Sequence, residues 1–307
     1  MQGLVLKSTG SWYDVKLETG ERVSARIRGK FRLDGLKVTN PVAAGDHVEL
    51  EKDKDDNFVI HQILPRKNYI IRRSVNLSKQ YHILATNLDQ AILIVCASHP
   101  KTFSEFIDRF LLTATAYHIP AILIFNKIDL YGDEELAQLK TWEEIYTAAG
   151  YECRRVSAQS GEGVQDVKML LQNKITMLSG HSGVGKSTLV NAVDSNLNLK
   201  TSEISDMHEQ GKHTTTFAEM HELSFGGYVI DTPGIKGLGL ADMTKSELCK
   251  YFPEFLPFSA QCKFHNCVHI NEPGCSVKEA VSNGKIREER YKSYLNMYND
   301  DEQENYR

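Results

Sequence analysis

The chain has no long hydrophobic run. Among its 307 residues the longest apolar stretch lies near Ala91–Ala97, far short of the roughly 20 residues that a membrane helix needs. It also has no large charge imbalance. With 36 Lys+Arg against 40 Asp+Glu, the formal charge is −4, so any contact with nucleic acid must come from local patches. The opening MQGLVLKSTGSWYD has no charged segment followed by an apolar one, so no secretory signal and a cytoplasmic location are expected. There is no internal repeat. At 41% hydrophobic and 25% charged residues, a wholly disordered chain, a collagen and a coiled-coil rod are excluded. Cysteines number six. Without a secretion signal they are expected to be reduced, and metal binding becomes the reading for any cluster. The length suits two domains, or three.

Residues 1–66 alternate apolar and polar side chains between turns: Tyr13, Val15 and Leu17, then Val23, Ala25 and Ile27, then Val48 and Leu50, then Phe58 and Ile60. That period predicts half-buried strands closing into a small, five-stranded, OB-like β-barrel. Arg22, Arg26, Arg28, Lys30 and Arg32 form either a phosphate-facing patch or a solvated barrel surface. Arg66-Lys67 and Arg72-Arg73 fall in the expected linker.

From residue 89 the pattern changes. Ala91–Val95 and Ala121–Phe125 are continuous apolar runs, as in strands buried on both faces. Phe103, Phe106, Ile107, Phe110 and Leu111 recur at helical spacing, and 133–149 and 163–172 also read as helices. Short strands are expected at Arg154–Val156 and Ile175–Leu178. The β-α-β-α alternation implies a parallel sheet covered by helices. In the last segment Tyr291, Tyr294, Leu295 and Tyr298 recur at helical spacing and are expected to pack.

Gly180, His181, Ser182, Gly183, Val184, Gly185, Lys186 and Ser187 match G-x-x-x-x-G-K-[ST] between a strand and a helical run beginning at Thr188. Such a loop curls backbone N–H groups around phosphate oxygens. Lys186 supplies a point charge, Ser187 a hydroxyl for Mg²⁺, and the helix terminus its dipole. Asn126-Lys127-Ile128-Asp129 resembles the guanine-specificity motif of GTPases. An aspartate there accepts from both guanine N1–H and the exocyclic amine, a donor pair that adenine lacks. Alternatively, Asp129 caps the helix that follows. Ser157-Ala158 resembles the next base-binding loop, with the Ala158 N–H facing guanine O6. Asp231-Thr232-Pro233-Gly234 resembles D-x-x-G, with Asp231 reaching Mg²⁺ through water and Gly234 sensing the γ-phosphate; it could also be a plain turn. Gly211-Lys212-His213-Thr214-Thr215-Thr216 holds the switch threonine, Thr215 favoured over Thr214, although three threonines also suit a strand.

Each of these elements follows a strand end, where an open α/β sheet binds ligands. In ordinary GTPases the phosphate loop comes first; here N-K-I-D and S-A precede it. The arrangement is a circularly permuted P-loop GTPase domain, expected over 67–240. Its switch elements feed into a zinc-binding, mostly helical segment at 241–307. In that segment Cys262, Cys267, His269 and Cys275 give C-x4-C-x-H-x5-C, the Cys3His set of a closed structural Zn²⁺ site. His265 could compete as a ligand, and free thiols are the alternative. Cys96, Cys153 and Cys249 are expected to pack.

Together, the barrel, the permuted motifs G-H-S-G-V-G-K-S, G-K-H-T-T-T and D-T-P-G, and the cysteine spacing resemble the family of ribosome small subunit-dependent GTPase A proteins. The resemblance spans essentially the whole chain. It implies GTP hydrolysis with Mg²⁺ during late maturation of the 30S subunit, one structural Zn²⁺, and contact with 16S rRNA through the barrel and the zinc segment. The alternative is an rRNA-binding scaffold for which guanine nucleotide is only a structural or regulatory ligand. No membrane partner is expected, and nothing demands a dimer, so a monomer is expected. Many GTPases orient the attacking water with a Gln after D-x-x-G. Ile235 stands there instead, so slow intrinsic turnover, raised by the subunit, is expected. His213 could position that water or make a purely structural contact; Lys186 and Thr215 complete the expected catalytic set.

Overall fold

The computed structural model describes residues 1–27, 40–73, 81–199, 218–231 and 244–299. The first five strands, β1 (Gln2–Ser8), β2 (Tyr13–Leu17), β3 (Arg22–Ile27), β4 (His47–Lys52) and β5 (Phe58–Ile63), hydrogen-bond in the order β1-β2-β3-β5-β4, and β4 closes on β1. The pair β3–β5 is parallel and the other barrel pairs are antiparallel. Val5, Val15, Val23, Ala25, Val48, Leu50 and Ile60 point inward and form its core, as their period-two spacing requires.

Residues read as a linker instead form a hairpin of β6 (Tyr69–Arg73) and β7 (Tyr81–Thr86). A register irregularity between Ile70 and Ile71 lets both consecutive isoleucines be buried; such a bulge hides the alternation that marks a strand. Arg66 is no solvated linker charge either. Its guanidinium donates to both carboxylate oxygens of buried Asp46 at 2.6 Å and to Pro41 O at 2.6 Å.

The central sheet contains β8 (Gln90–Val95), β9 (Ala121–Phe125), β10 (Glu152–Arg155), β11 (Ile175–Ser179), β12 (Glu219–Glu222) and β13 (Tyr228–Asp231), in the order β10-β9-β8-β11-β13-β12. All neighbours are parallel except β12, which runs antiparallel to β13. Helices α1 (Ser104–Ala116), α2 (Asp133–Ala148), α3 (Val164–Leu171) and α4 (Lys186–Val193) cover it. Alternate residues of one strand feed the two faces. Leu93 and Val95 pack with Phe110 and Trp142 on one side; Ile92 and Ile94 pack with Val167, Leu189 and Val190 on the other. The chain runs outward from β8 to β10, then returns to lay β11 beside β8. That reversal makes the C-terminal ends of β8 and β11 the topological switch point, where such sheets bind ligands.

The C-terminal segment holds 3-10 turns at Lys245–Tyr251 and Pro253–Phe255, then α5 (Leu256–Ser259), α6 (Ser276–Ser282) and α7 (Glu288–Asn299). Phe252 and Phe255 stack in its core with Leu112 of α1, Tyr294 meets both edge-on, and Tyr291, Leu295 and Tyr298 pack against the same cluster, as their spacing predicts. Among the described residues, no helix is long and apolar enough to cross a membrane.

Candidate functional site

The phosphate loop leaves β11 at Gly180, with φ +146°, where a Cβ would lie 2.4 Å from Ile94 O. At Gly185, with φ +94°, a Cβ would lie 2.5 Å from Asn126 Nδ2. Only glycine fits either position, so the loop stays tight and its amides can line a cradle. Lys186 opens α4 and is largely buried, its Nζ donating to Gly180 O at 2.8 Å and His181 O at 3.1 Å. Ser187 is buried beside it, while Ser182 and Gly183 are exposed. The His181 ring stacks on Phe106 of α1, with centroids 3.9 Å apart.

Asn126, which the sequence separates widely from this loop, lies against it and is fully paired. Its N–H donates to Val95 O at 2.9 Å, its Nδ2 donates to Val184 O at 2.8 Å, and its Oδ1 accepts from Ala158 N at 3.2 Å. The Ala158 N–H expected to face a base therefore meets Asn126 here. Lys127, in the left-handed region at φ 65°, sends its Nζ to Gly183 O at 2.7 Å and His99 O at 2.5 Å. Ser157 is fully buried, its Oγ accepting from Ser160 N at 3.0 Å. Asp129 is exposed on the 3-10 turn Ile128–Leu130. It does not cap α2: the residue at that helix's N-cap is Gly132, whose N–H donates to Glu135 at 3.1 Å. Three predicted motifs thus meet at the switch point.

Asp231 ends β13, beside Leu178 of β11. Gly234 and the switch residues His213, Thr214 and Thr215 lie outside the described residues, as do Arg28, Lys30 and Arg32 of the basic patch. Of that patch, Arg22 pairs with Glu222 of β12 at 3.2 Å and Arg26 lies over the Trp12 ring at 4.9 Å.

Sequence reasoning missed the loop between β8 and α1. There Thr102 Oγ1 accepts from Cys96 N at 3.1 Å, and the His99 carbonyl takes the Lys127 ammonium. It also missed Tyr131, whose hydroxyl touches both Ala97 and Asn126. No spacing rule marks either feature.

The ligand atoms of Cys262, Cys267, His269 and Cys275 all lie within 4.8 Å of one another. His269 Nδ1 is 3.6 Å from Cys262 Sγ and 3.3 Å from Cys275 Sγ, and Nε2 is 3.1 Å from Ser259 Oγ. Nδ1 therefore faces the thiols while Ser259 fixes the ring from its other nitrogen, as a hydrogen bond usually does for a metal-bound histidine. Burial pushes the Cys267 thiol up to about 12 and the Cys275 thiol upward, and pushes the His269 imidazole down toward its neutral form. Such thiols ionise only against a cation, and three thiols with one imidazole fit Zn²⁺. Exposed His265 is outside the cluster. Glu272 accepts from Val268 N and Ile270 N at 2.7 and 2.9 Å, shaping the loop between ligands. Elsewhere, Cys96 and Cys249 are buried and Cys153 partly so; burial pushes Cys96 and Cys153 up to about 11, as packing thiols require.

The RsgA GTPase family model matches residues 63–241, and the RsgA N-terminal domain model matches residues 2–60. The small ribosomal subunit biogenesis GTPase RsgA of Christiangramia forsetii is 54% identical over 100% of this chain and 98% of its own length. RsgA 2 of Bacteroides thetaiotaomicron is 53% identical over 100% and 99%. Among solved structures, YjeQ from Thermotoga maritima matches with a TM-score of 0.79 and 38% identity over 97% of this chain and 96% of that one. YloQ, a circularly permuted GTPase, matches at 0.74 and 29% over 97% and 93%. With both family models, full-length relatives and the permuted fold in agreement, the chain belongs to the RsgA GTPase family.

Proposed function

We propose that the chain binds guanine nucleotide between N-K-I-D and the phosphate loop, and hydrolyses GTP during late maturation of the small ribosomal subunit. One observation carries the nucleotide site: Asn126 and Lys127 hydrogen-bond directly to the phosphate-loop carbonyls of Val184 and Gly183. A base held by Asp129 and a triphosphate held at Gly180–Thr188 would then belong to one nucleotide. The relatives' printed names support the ribosomal role, and contact with 16S rRNA would use the barrel and the zinc module. A cytoplasmic location and a monomer follow from the same reading.

GTP hydrolysis is mainly positioning and electrostatic stabilisation. The glycine-shaped amide cradle would grip the phosphates, and the Lys186 ammonium, now on loop carbonyls, would move onto phosphate oxygens. Mg²⁺, held by Ser187 with Thr215 and Asp231, would neutralise charge developing between the β- and γ-phosphates. The Gly234 N–H would sense the γ-phosphate, and Thr214 is the alternative to Thr215 as the switch threonine. Ile235 cannot orient water, so unaided turnover is slow, and His213 is the candidate to supply that role when the subunit orders the switch.

GTP turnover is measured with and without 30S particles, with ATP as control and Lys186→Ala alongside. The expected result is weak intrinsic activity, strong stimulation with GTP only, and no turnover by the variant. Normal hydrolysis by Lys186→Ala contradicts the site. Guanine binding without stimulation would favour the scaffold reading.

A further inference from the structure

We infer that Tyr131 is a positioning residue for guanine recognition, closing the loop that carries Asp129; this rests on the nucleotide site proposed above. The backbone from Asn126 to Tyr131 makes a tight excursion. Lys127 sits in the left-handed region, and the 3-10 turn follows, with Leu130 N donating to Lys127 O at 2.9 Å and Tyr131 N to Ile128 O at 3.3 Å. The Tyr131 side chain then folds back. Its hydroxyl donates to Asn126 O at 2.6 Å, the carbonyl at the start of the same loop, and accepts from Ala97 N at 2.9 Å, at the end of β8.

One phenol therefore ties both ends of the Asp129 turn together and anchors them to the neighbouring strand. Asp129 itself is exposed, and a carboxylate on an untied surface turn would sample many orientations. Two simultaneous bonds from guanine N1–H and the 2-amine require one orientation. Preorganisation of this kind lowers the ordering cost of binding. Tyr131 bonds to the backbone of Asn126, whose Nδ2 donates to Val184 O of the phosphate loop, so the comparison of GDP with IDP is what isolates its effect on the base.

The test is Tyr131→Phe, which keeps the ring and removes only the hydroxyl. Affinities for GDP and IDP are read by competition against a fluorescent GDP, with steady-state kinetics in the presence of 30S particles. IDP lacks the 2-amine and can make only one of the two bonds to Asp129. Loss of two partly buried hydrogen bonds should weaken GDP by about five- to twentyfold and IDP by less, narrowing the GDP:IDP preference. KM for GTP should rise with kcat at saturation unchanged, and the melting temperature should stay within a few degrees of wild type. An unchanged GDP:IDP ratio overturns the inference, as does a variant that loses kcat and melting temperature together. A wild-type chain with no preference for GDP over ADP would overturn the nucleotide site itself. A guanine-selective wild type with an unaltered variant overturns only the role of Tyr131.

Discussion

At one flank of the α/β domain, α7 buries Arg290 between Asp108 of α1 at 2.5 Å and Glu254 at 2.6 Å, with Ser293 donating to the other Asp108 oxygen. The guanidinium also lies 4.7 Å from the Phe252 ring. Burial alone would push its pKa down; the carboxylates outweigh that and hold it above its ordinary value. At the other flank the barrel meets β12 by a single strand register, Lys7 opposite Glu219, and by half-exposed pairs of Lys7 with Glu219 and of Lys16 and Arg22 with Glu222. Both modules carry ion pairs to the α/β domain, but solvent screens only those of the barrel, which is joined as well by buried contacts: Leu6 and Ala44 pack with Ala85 and Leu88, and Thr86 N donates to Ala44 O at 3.0 Å. The C-terminal module is thereby fixed to α1, the helix that also sets Phe106 against His181 of the phosphate loop. The barrel is held to the strand beside β13, on which Asp231 lies.

Disrupting the Cys3His cluster should have the largest effect, because it closes a module with a small core of its own and metal binding by such a cluster is folding free energy. Chelation or Cys275→Ser should release about one Zn²⁺ per chain and melt the helices of this module, read by circular dichroism and metal analysis. GDP affinity should stay within about threefold. A module that keeps its helicity without metal would show that Arg290 and the aromatic core suffice. Next, Arg290→Ala leaves two buried carboxylates unpaired and should cost about 3–5 kcal/mol, seen as a lowered denaturant midpoint of the C-terminal transition. A loss no larger than that of a surface pair would erase the contrast between the flanks.

The smallest effect should come from Glu222→Gln, below about 1 kcal/mol. The Lys16 hydrogen bond, partly opposed by desolvation, holds the Glu222 carboxyl below its ordinary value. A depressed carboxyl contributes stability above its unfolded pKa and loses it as pH falls through the folded value. The melting temperatures of wild type and variant should therefore differ at pH 7, draw together as pH falls below the ordinary glutamate value of about 4.3, and converge in molar salt. A difference that grows on acidification would contradict the pairing.

What could be read before the structure was local. Period two exposed the barrel strands, apolar runs exposed β8 and β9, and spacing rules pointed to the phosphate-loop and N-K-I-D segments that the structure brings together and to the cluster of Cys262, Cys267, His269 and Cys275. The hairpin at 69–86 escaped because a bulge buries Ile70 and Ile71 side by side. Long-range pairing escaped altogether. Nothing in the spacing of Asp108, Glu254 and Arg290 announces a buried ion cluster, and nothing near Tyr131 announces its bond to Asn126. Of the basic patch, Arg22 pairs with Glu222, a long-range contact that its spacing does not announce.

The nucleotide site rests on Asp129 reading the donor edge of guanine while the phosphate loop grips the triphosphate. Asp129→Asn tests this directly. Xanthine carries a carbonyl where guanine carries its 2-amine, so an asparagine amide can donate there while its carbonyl still accepts from N1–H. Competition of GDP and XDP against a labelled nucleotide should show the variant losing at least about a hundredfold in GDP affinity and gaining XDP binding that the wild type lacks. A variant that still binds GDP as tightly as the wild type, with no gain for XDP, would remove Asp129 from the base site and contradict the account.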